Sequence, residues 1–141
     1  MTPQKEITIN GQQVRMIYCA ATENGFEEIS RKSINVFLPT FGTDENGDTI
    51  IKEAAPCTIG DWIALAMASI VAAYTRDGED LPVSSEYLLY EATPQERSDL
   101  TMAIVELRNE WYGVPKVVEE QLKQEAEQAG VNGGKADQKN A

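Results

Sequence analysis

Residues 7–18 read ITINGQQVRMIY, and this stretch decides how the chain begins to fold. Asn10 and Gly11 both tolerate the positive φ angles of a type I′ turn, which makes the pair a strong hairpin signal. A two-residue turn at this point places Glu6 opposite Arg15, so that opposite charges meet across the strands. The same register collects apolar side chains on the other face, namely Ile7, Ile9, Val14, Met16 and Tyr18. We therefore predict a β-hairpin over residues 5–19 with one buried face.

Length and composition indicate one globular domain. The chain has 141 residues, of which 42% are hydrophobic and 25% charged, ordinary values for a single domain with a modest core. No apolar run reaches membrane-spanning length and no signal-peptide pattern opens the chain, so we expect a cytoplasmic protein without a membrane partner. Cys19 and Cys57 are predicted to be free thiols, with a disulfide between them as the alternative.

Charge and residue usage argue against catalysis and against nucleic-acid binding. There is no histidine, which removes the commonest general base and the commonest metal ligand. Glycine-rich phosphate loops, cysteine pairs at metal spacing and nucleophile elbows are absent from the sequence. The formal net charge is −11, and such a surface repels phosphates. We predict a non-enzymatic protein with no catalytic residue, no metal and no cofactor.

A short helix is predicted directly after the first hairpin, over residues 22–34. Thr22 has the side chain of an N-cap, and Phe26 and Ile29 fall on the inner face. Gly25 weakens this helix by about 1 kcal/mol, so we expect tertiary packing to hold it.

A second hairpin is predicted within an inserted segment, residues 38–57. Asn46 and Gly47 form its turn, with arms near 36–43 and 49–55.

A calcium loop is the competing interpretation of this turn, because Asp44, Asn46 and Asp48 alternate as calcium ligands do. The glycine of such a loop belongs at the sixth position, whereas Gly47 is fourth. Its bidentate glutamate belongs at the twelfth position, which is Ala55 here. We therefore predict the hairpin rather than a calcium site.

The central helix is predicted to begin after Thr58, with Asp61 completing a capping box. No charged residue occurs from Trp62 to Thr75. One apolar face comprises Ile59, Trp62, Ile63, Ala66, Met67, Ile70, Val71 and Tyr74. A helix that is apolar all round must be buried all round, so its other side also needs a cover.

That other side consists of small, uncharged residues that would allow a second helix to approach closely. It comprises Ala64, Leu65, Ala68, Ser69, Ala72 and Ala73, and we name its five members other than Ala64 the small face of the central helix. We predict it to be a subunit or partner interface, with Trp62 and Trp111 as large anchors, since Trp is enriched in interface hot spots. The alternative is that the small face and both tryptophans belong to the core of a monomer.

Helical segments close the chain. A short helix is expected from Ser84 or Ser85, and Thr93-Pro94 with Glu96 marks the start of a longer one that ends at Gly113. Its inner stripe comprises Leu100, Ala103, Ile104, Leu107 and Trp111. A weakly docked helix is expected over residues 115–129 and a disordered tail over 130–141. The prediction is one α+β domain over 1–129, with β-hairpins packed against four to five helices.

This order of elements resembles the tail assembly chaperones of long-tailed (siphovirus-type) bacteriophages and prophages. The hairpin ITINGQQVRMIY leads into FEEISRKSI, residues 26–34, and the apolar helix TIGDWIALAMASIVAAY follows at residues 58–74. The resemblance covers residues 5–112, and the chain departs from it at the 38–57 insertion. It implies a non-enzymatic α+β protein that binds the tape-measure protein, keeps it soluble during tail assembly and forms homo-oligomers.

Two other functions remain open on the sequence. An acidic mimic of nucleic acid, which would inhibit a DNA-binding host protein, needs its carboxylates in a phosphate-like array. Asp77, Glu79 and Asp80 are the nearest approach to such an array and do not complete one. A small carboxylate-based hydrolase would need paired acids on one element, which the sequence lacks.

Overall fold

The computed structural model describes residues 2–113, which form an α+β fold as predicted. The elements in chain order are β1 (Gln4–Ile9), β2 (Gln12–Ile17), α1 (Ala20–Ser30), a 3₁₀ turn (Ile34–Phe37), β3 (Thr40–Thr43), β4 (Thr49–Glu53), α2 (Ile59–Asp77), a π-helical turn (Tyr87–Glu91) and α3 (Pro94–Tyr112). The helix expected over 115–129 and the tail expected over 130–141 lie outside the described residues.

The first hairpin has the predicted register. Strands β1 and β2 pair antiparallel, with Glu6 opposite Arg15. The turn residues Asn10 and Gly11 have φ angles of 51° and 75°, as a type I′ turn requires. The predicted inner face is buried at Ile9, Val14, Met16 and Tyr18, and Ile7 packs half-buried against the same core.

The N-cap of helix α1 lies three residues earlier than predicted, and the helix ends at Ser30 rather than at residue 34. Its N-cap is Cys19, and Thr22 lies in the first turn. The Thr22 hydroxyl accepts the Cys19 N–H at 3.2 Å and donates to the Ile17 carbonyl at 2.9 Å. Thr22 is therefore not the N-cap residue, but it completes a capping box with Cys19 and is a buried link between β2 and α1. Ile29, predicted to be buried, is 51% exposed because it borders an open groove described below.

Helix α2 is the centre of the fold. The predicted capping box is confirmed, because the Thr58 side chain accepts the Asp61 N–H at 3.1 Å and Asp61 accepts the Thr58 N–H at 2.9 Å. Gly78 ends the helix with a φ of 66°. Helix α1, strand β2 and helix α3 all pack against α2, which explains why its central turns carry no charge.

The inserted segment forms the predicted second hairpin, and β3 and β4 make a separate two-stranded sheet. In its turn, Asp44 Oδ1 accepts the N–H groups of Asn46 and Asp48, each at 2.9 Å. The hairpin is anchored at its base, where Cys57 donates its N–H to the Val36 carbonyl at 3.1 Å. Phe37 is buried beside the base, with its ring centroid 4.5 Å from that of Trp62.

Helix α3 starts and ends as predicted, with a Thr93–Glu96 capping box and a Gly113 C-cap at φ 71°. Its stripe is buried at Leu100, Ala103, Ile104 and Leu107. The start of α3 also holds the first hairpin, because Glu96 Oε2 accepts the Asn10 N–H at 2.6 Å. Trp111 departs from the predicted stripe and is 41% exposed, since it lies in the last turn and faces Tyr18.

The short helix predicted from Ser84 or Ser85 is confirmed, because the chain is helical over residues 85–91. It includes the π-helical turn Tyr87–Glu91. Leu88 is buried there, whereas Leu89 and Tyr90 are exposed. The two cysteines are free thiols, as predicted, and each is half-buried.

Candidate functional site: a groove between α1 and α2

The residues of the small face lie inside the chain. Each of its members, Leu65, Ala68, Ser69, Ala72 and Ala73, is at least nine-tenths buried. Helix α1 and strand β2 cover this side of α2, and Ser69 donates its hydroxyl to the Ile17 carbonyl at 2.7 Å. In this fold the small face is an intramolecular contact, which corresponds to the monomer-core alternative. Ala68 and Ala72 alone among the five also border a groove.

The two tryptophans are placed apart from the small face. Trp62 is half-buried against Phe37, on the side of α2 that faces the base of the second hairpin. Trp111 is at the end of α3, with its ring centroid 6.2 Å from that of Tyr18. The structure therefore does not gather the seven sequence-predicted interface residues into one surface.

A groove of about 700 Å³ runs between α1 and α2 and is the candidate site. Its lining is mainly apolar or small, with polar groups at the edges. The lining residues are Thr2, Ile17, Cys19, Ala21, Asn24, Gly25, Glu28, Ile29, Ala68, Val71, Ala72, Thr75 and Arg76. Clefts of this size with an apolar lining and few polar groups are typical binding sites.

Small residues create this groove. A Cβ atom added at Gly25 would lie 3.2 Å from the Ala68 Cβ, closer than side chains normally pack. Gly25 therefore lets α1 approach α2 closely. This is the tertiary packing that was expected to offset the destabilising effect of a glycine within the helix. Beside this contact, Ala21 and Ala72 are too short to fill the space between the helices, and the groove remains open there.

The floor of the groove is fixed by a shared acceptor. The Ile17 carbonyl at the end of β2 accepts the Thr22 hydroxyl from α1 and the Ser69 hydroxyl from α2, at 2.9 and 2.7 Å. Buried hydroxyls satisfied in this way hold three elements in one arrangement. The groove is thus a preformed feature of the fold. Sequence periodicity alone does not predict this groove, because the pattern suggests an N-cap at Thr22 and only a small packing residue at Ser69.

The rim of the groove carries one acid and one base. Glu28 lies on the α1 side and Arg76 on the α2 side. Arg76 Nε donates to Asp77 Oδ1 at 2.9 Å, and this hydrogen bond raises the pKa of Arg76 and lowers the pKa of Asp77. The α1 edge of the groove is therefore acidic, whereas Asp77 neutralises Arg76 on the α2 edge.

The acidic turn after α2 is engaged within the fold. Arg15 of β2 approaches Asp77 Oδ2 at 3.1 Å and Glu79 Oε2 at 2.6 Å. Its guanidinium also stacks over the Tyr74 ring, 4.7 Å from the centroid. Two of the three carboxylates considered for a nucleic-acid mimic therefore face an arginine of the same chain, which opposes a phosphate-like array.

Sequence reasoning missed a carboxylate that joins α1 to the end of α3. Glu23 Oε2 accepts the Tyr18 hydroxyl at 2.9 Å and also the Tyr112 hydroxyl. Burial raises the pKa of Tyr18 and the bond to Glu23 raises it further, so this phenol stays protonated. No pattern in the sequence pairs these three residues, because the contact spans most of the domain.

Residues 2–113 contain neither a metal-binding cluster nor a membrane-spanning helix. Across residues 2–113, no group of three or more histidine, cysteine or acidic side chains is arranged to hold a metal ion. None of the helices in that range is long and apolar enough to cross a membrane.

Comparison with known proteins returned no match. No family model, no curated protein and no solved structure is significantly similar to this chain. The groove therefore has to be interpreted from its own residues.

Proposed function

We propose that this chain is a tail assembly chaperone of a long-tailed bacteriophage or prophage. In this proposal it acts in the bacterial cytoplasm, has no enzymatic activity, and binds the tape-measure protein to keep it soluble. The observation that carries the proposal is the apolar groove between α1 and α2, together with the element order that resembles the family.

The groove suits the apolar stripe of an amphipathic helix. Ile29 and Val71 offer apolar surface on its two sides, and the small residues between them leave room for side chains to enter. Helix-in-groove binding uses apolar anchors spaced along one face of the bound helix. The acidic α1 edge, where Glu28 lies, favours lysine or arginine beside those anchors.

Co-expression with a tape-measure protein of a long-tailed phage tests the proposal. We expect the wild-type chain to raise the soluble fraction of that protein and to co-purify with it. Ile29→Lys places a charge at the groove, and because Ile29 is 51% exposed the variant should still fold. Leu89→Lys is the matched control, since Leu89 is 69% exposed and lies on the π-helical turn.

The two variants separate groove binding from a general effect of charge. We expect Ile29→Lys to lose co-purification and Leu89→Lys to retain it. If Ile29→Lys binds like the wild type, the groove is not the binding site. If the wild-type chain neither binds nor solubilises any tape-measure protein, the chaperone assignment is overturned.

A further inference from the structure

The hairpin β3–β4 is an incomplete sheet. It has two strands, and among the described strands β3 pairs only with β4. Every residue of β4 is exposed, and Phe41 of β3 is 58% exposed. A lone two-stranded sheet is marginal in water, and stable sheets have three or more strands or a cover on one face.

Within residues 2–113, the outer edge of β3 carries no charged side chain, although Pro39 directly precedes this four-residue strand. Natural edge strands carry lysine or other charges that keep further strands away. Lys52 and Glu53 supply such charges on β4, but the chain from Ser33 to Thr43 contains no charged residue. A bulge does occur beside Thr40, and the strand is regular from Phe41 to Thr43.

Backbone direction shows which groups the edge offers. Asp44 donates its N–H to the Asp48 carbonyl at 2.9 Å, so this N–H points toward β4. N–H groups alternate in direction along a strand, which turns those of Phe41 and Thr43 toward the free edge. These two residues also share one face of the sheet, on the same side as Ile51.

We propose that two copies of this chain associate by pairing their β3 strands antiparallel, giving a four-stranded sheet across a two-fold axis. In the register centred on Gly42, Phe41 of each copy lies opposite Thr43 of the other, and their outward N–H and C=O groups bond. Gly42 then lies at the two-fold axis, and because it has no side chain the two backbones can approach closely there. The inference does not rest on the proposed function.

A second copy fits this edge because of charge. Two molecules with a net charge of −11 repel one another over most of their surfaces. The β3 strand itself carries no charge, so two copies meet at its edge with less repulsion than elsewhere, although Asp44 and Glu45 follow it directly. A two-fold contact uses the same patch on both molecules. The β3 edge meets this condition, because its outward N–H and C=O groups at Phe41 and Thr43 can bond to the same pair in a second copy.

Molar mass by light scattering on the full chain tests the pairing. We expect a dimer at micromolar concentration that strengthens with added salt, because salt screens the repulsion of the two acidic molecules. Phe41→Lys should yield a folded monomer. Leu89→Lys is the control and should remain dimeric, since both variants lower the negative charge equally and any general electrostatic effect would favour association.

Hydrogen exchange on the wild-type protein gives a reading that needs no variant. We expect the Phe41 and Thr43 amides to be protected at high protein concentration and to lose that protection on dilution. Protection that does not change with concentration, a wild-type chain that stays monomeric, or a Leu89→Lys variant that dissociates like Phe41→Lys would each overturn the inference.

Discussion

Asp61 is a buried carboxylate that links the start of α2 to Lys32, which follows the end of α1. It accepts the Thr58 N–H, and its Oδ1 accepts the Lys32 ammonium at 2.9 Å. Burial alone would raise the pKa of Asp61, but the Thr58 backbone N–H and Lys32 outweigh it, and the pKa lies below its usual value of 3.8. Folding therefore favours the ionised form.

The lowered pKa of Asp61 predicts how the stability of the fold responds to acid. A folded-state pKa below the unfolded one gives stability that is present above the unfolded value and is lost as pH falls through the folded value. We expect Asp61→Asn to be less stable than the wild type at neutral pH, with the difference closing as pH falls below about 3.8. Urea unfolding of both proteins, at neutral pH and at the acid end of this range, measures the difference in stability.

Lys32→Met is the companion variant, because it removes a charge that lowers the pKa of Asp61. Its acid-dependent loss of stability should be smaller than that of the wild type. An Asp61→Asn difference that is the same at neutral and acid pH would show that the carboxylate charge is not what stabilises this site.

At the scale of elements, the contact between α1 and α2 explains why α2 carries no charge on its small face. Gly25 lies against Ala68 at a spacing that leaves no room for a larger side chain. Ala68→Glu would put a carboxylate into this contact without a counter-charge, which costs several kcal/mol. We expect loss of cooperative folding, measured by circular dichroism and thermal unfolding.

Thr75→Glu is the control for this substitution. Thr75 lies two helical turns further along the same side of α2, where it is exposed, so its variant should fold with a midpoint near that of the wild type. A folded Ala68→Glu chain with a reduced molar mass would instead show that the small face is an interface between molecules.

Local signals were sufficient for some elements and not for others. The capping boxes of α2 and α3 and both hairpin turns depend on residues within a few positions of one another, so the sequence predicts them correctly. The start of α1 was missed because the Thr22 hydroxyl bonds to Ile17 and serves a contact between elements. The groove depends on how closely α1 approaches α2, and periodicity indicates that a face is buried without indicating what buries it.

At the scale of the whole molecule, the second hairpin is separable from the core. Strands β3 and β4 pack chiefly against each other, and the buried anchor Phe37 precedes them. We expect a chain in which residues 39–55 are replaced by a short Gly-Ser link to fold. The loss should be under about 1 kcal/mol, a shift of only a few degrees in the thermal midpoint.

Phe37→Ala provides the contrast, because removing a buried aromatic ring costs about 3–5 kcal/mol. Calorimetry on the two variants therefore distinguishes the hairpin from its base. A large fall in the midpoint of the shortened chain would mean that β3 and β4 contribute to the core.

The bond from the Asn10 N–H to Glu96 has a consequence for how the protein is made. The first hairpin leaves the ribosome before α3 does, because the carboxylate that secures its turn is synthesised 86 residues later. Translation adds about 5–20 residues each second, so the hairpin waits for several seconds without this partner. A chain that terminates before α3 lacks both this carboxylate and the helix that packs against β1, so the part of the hairpin that α3 covers stays exposed to water.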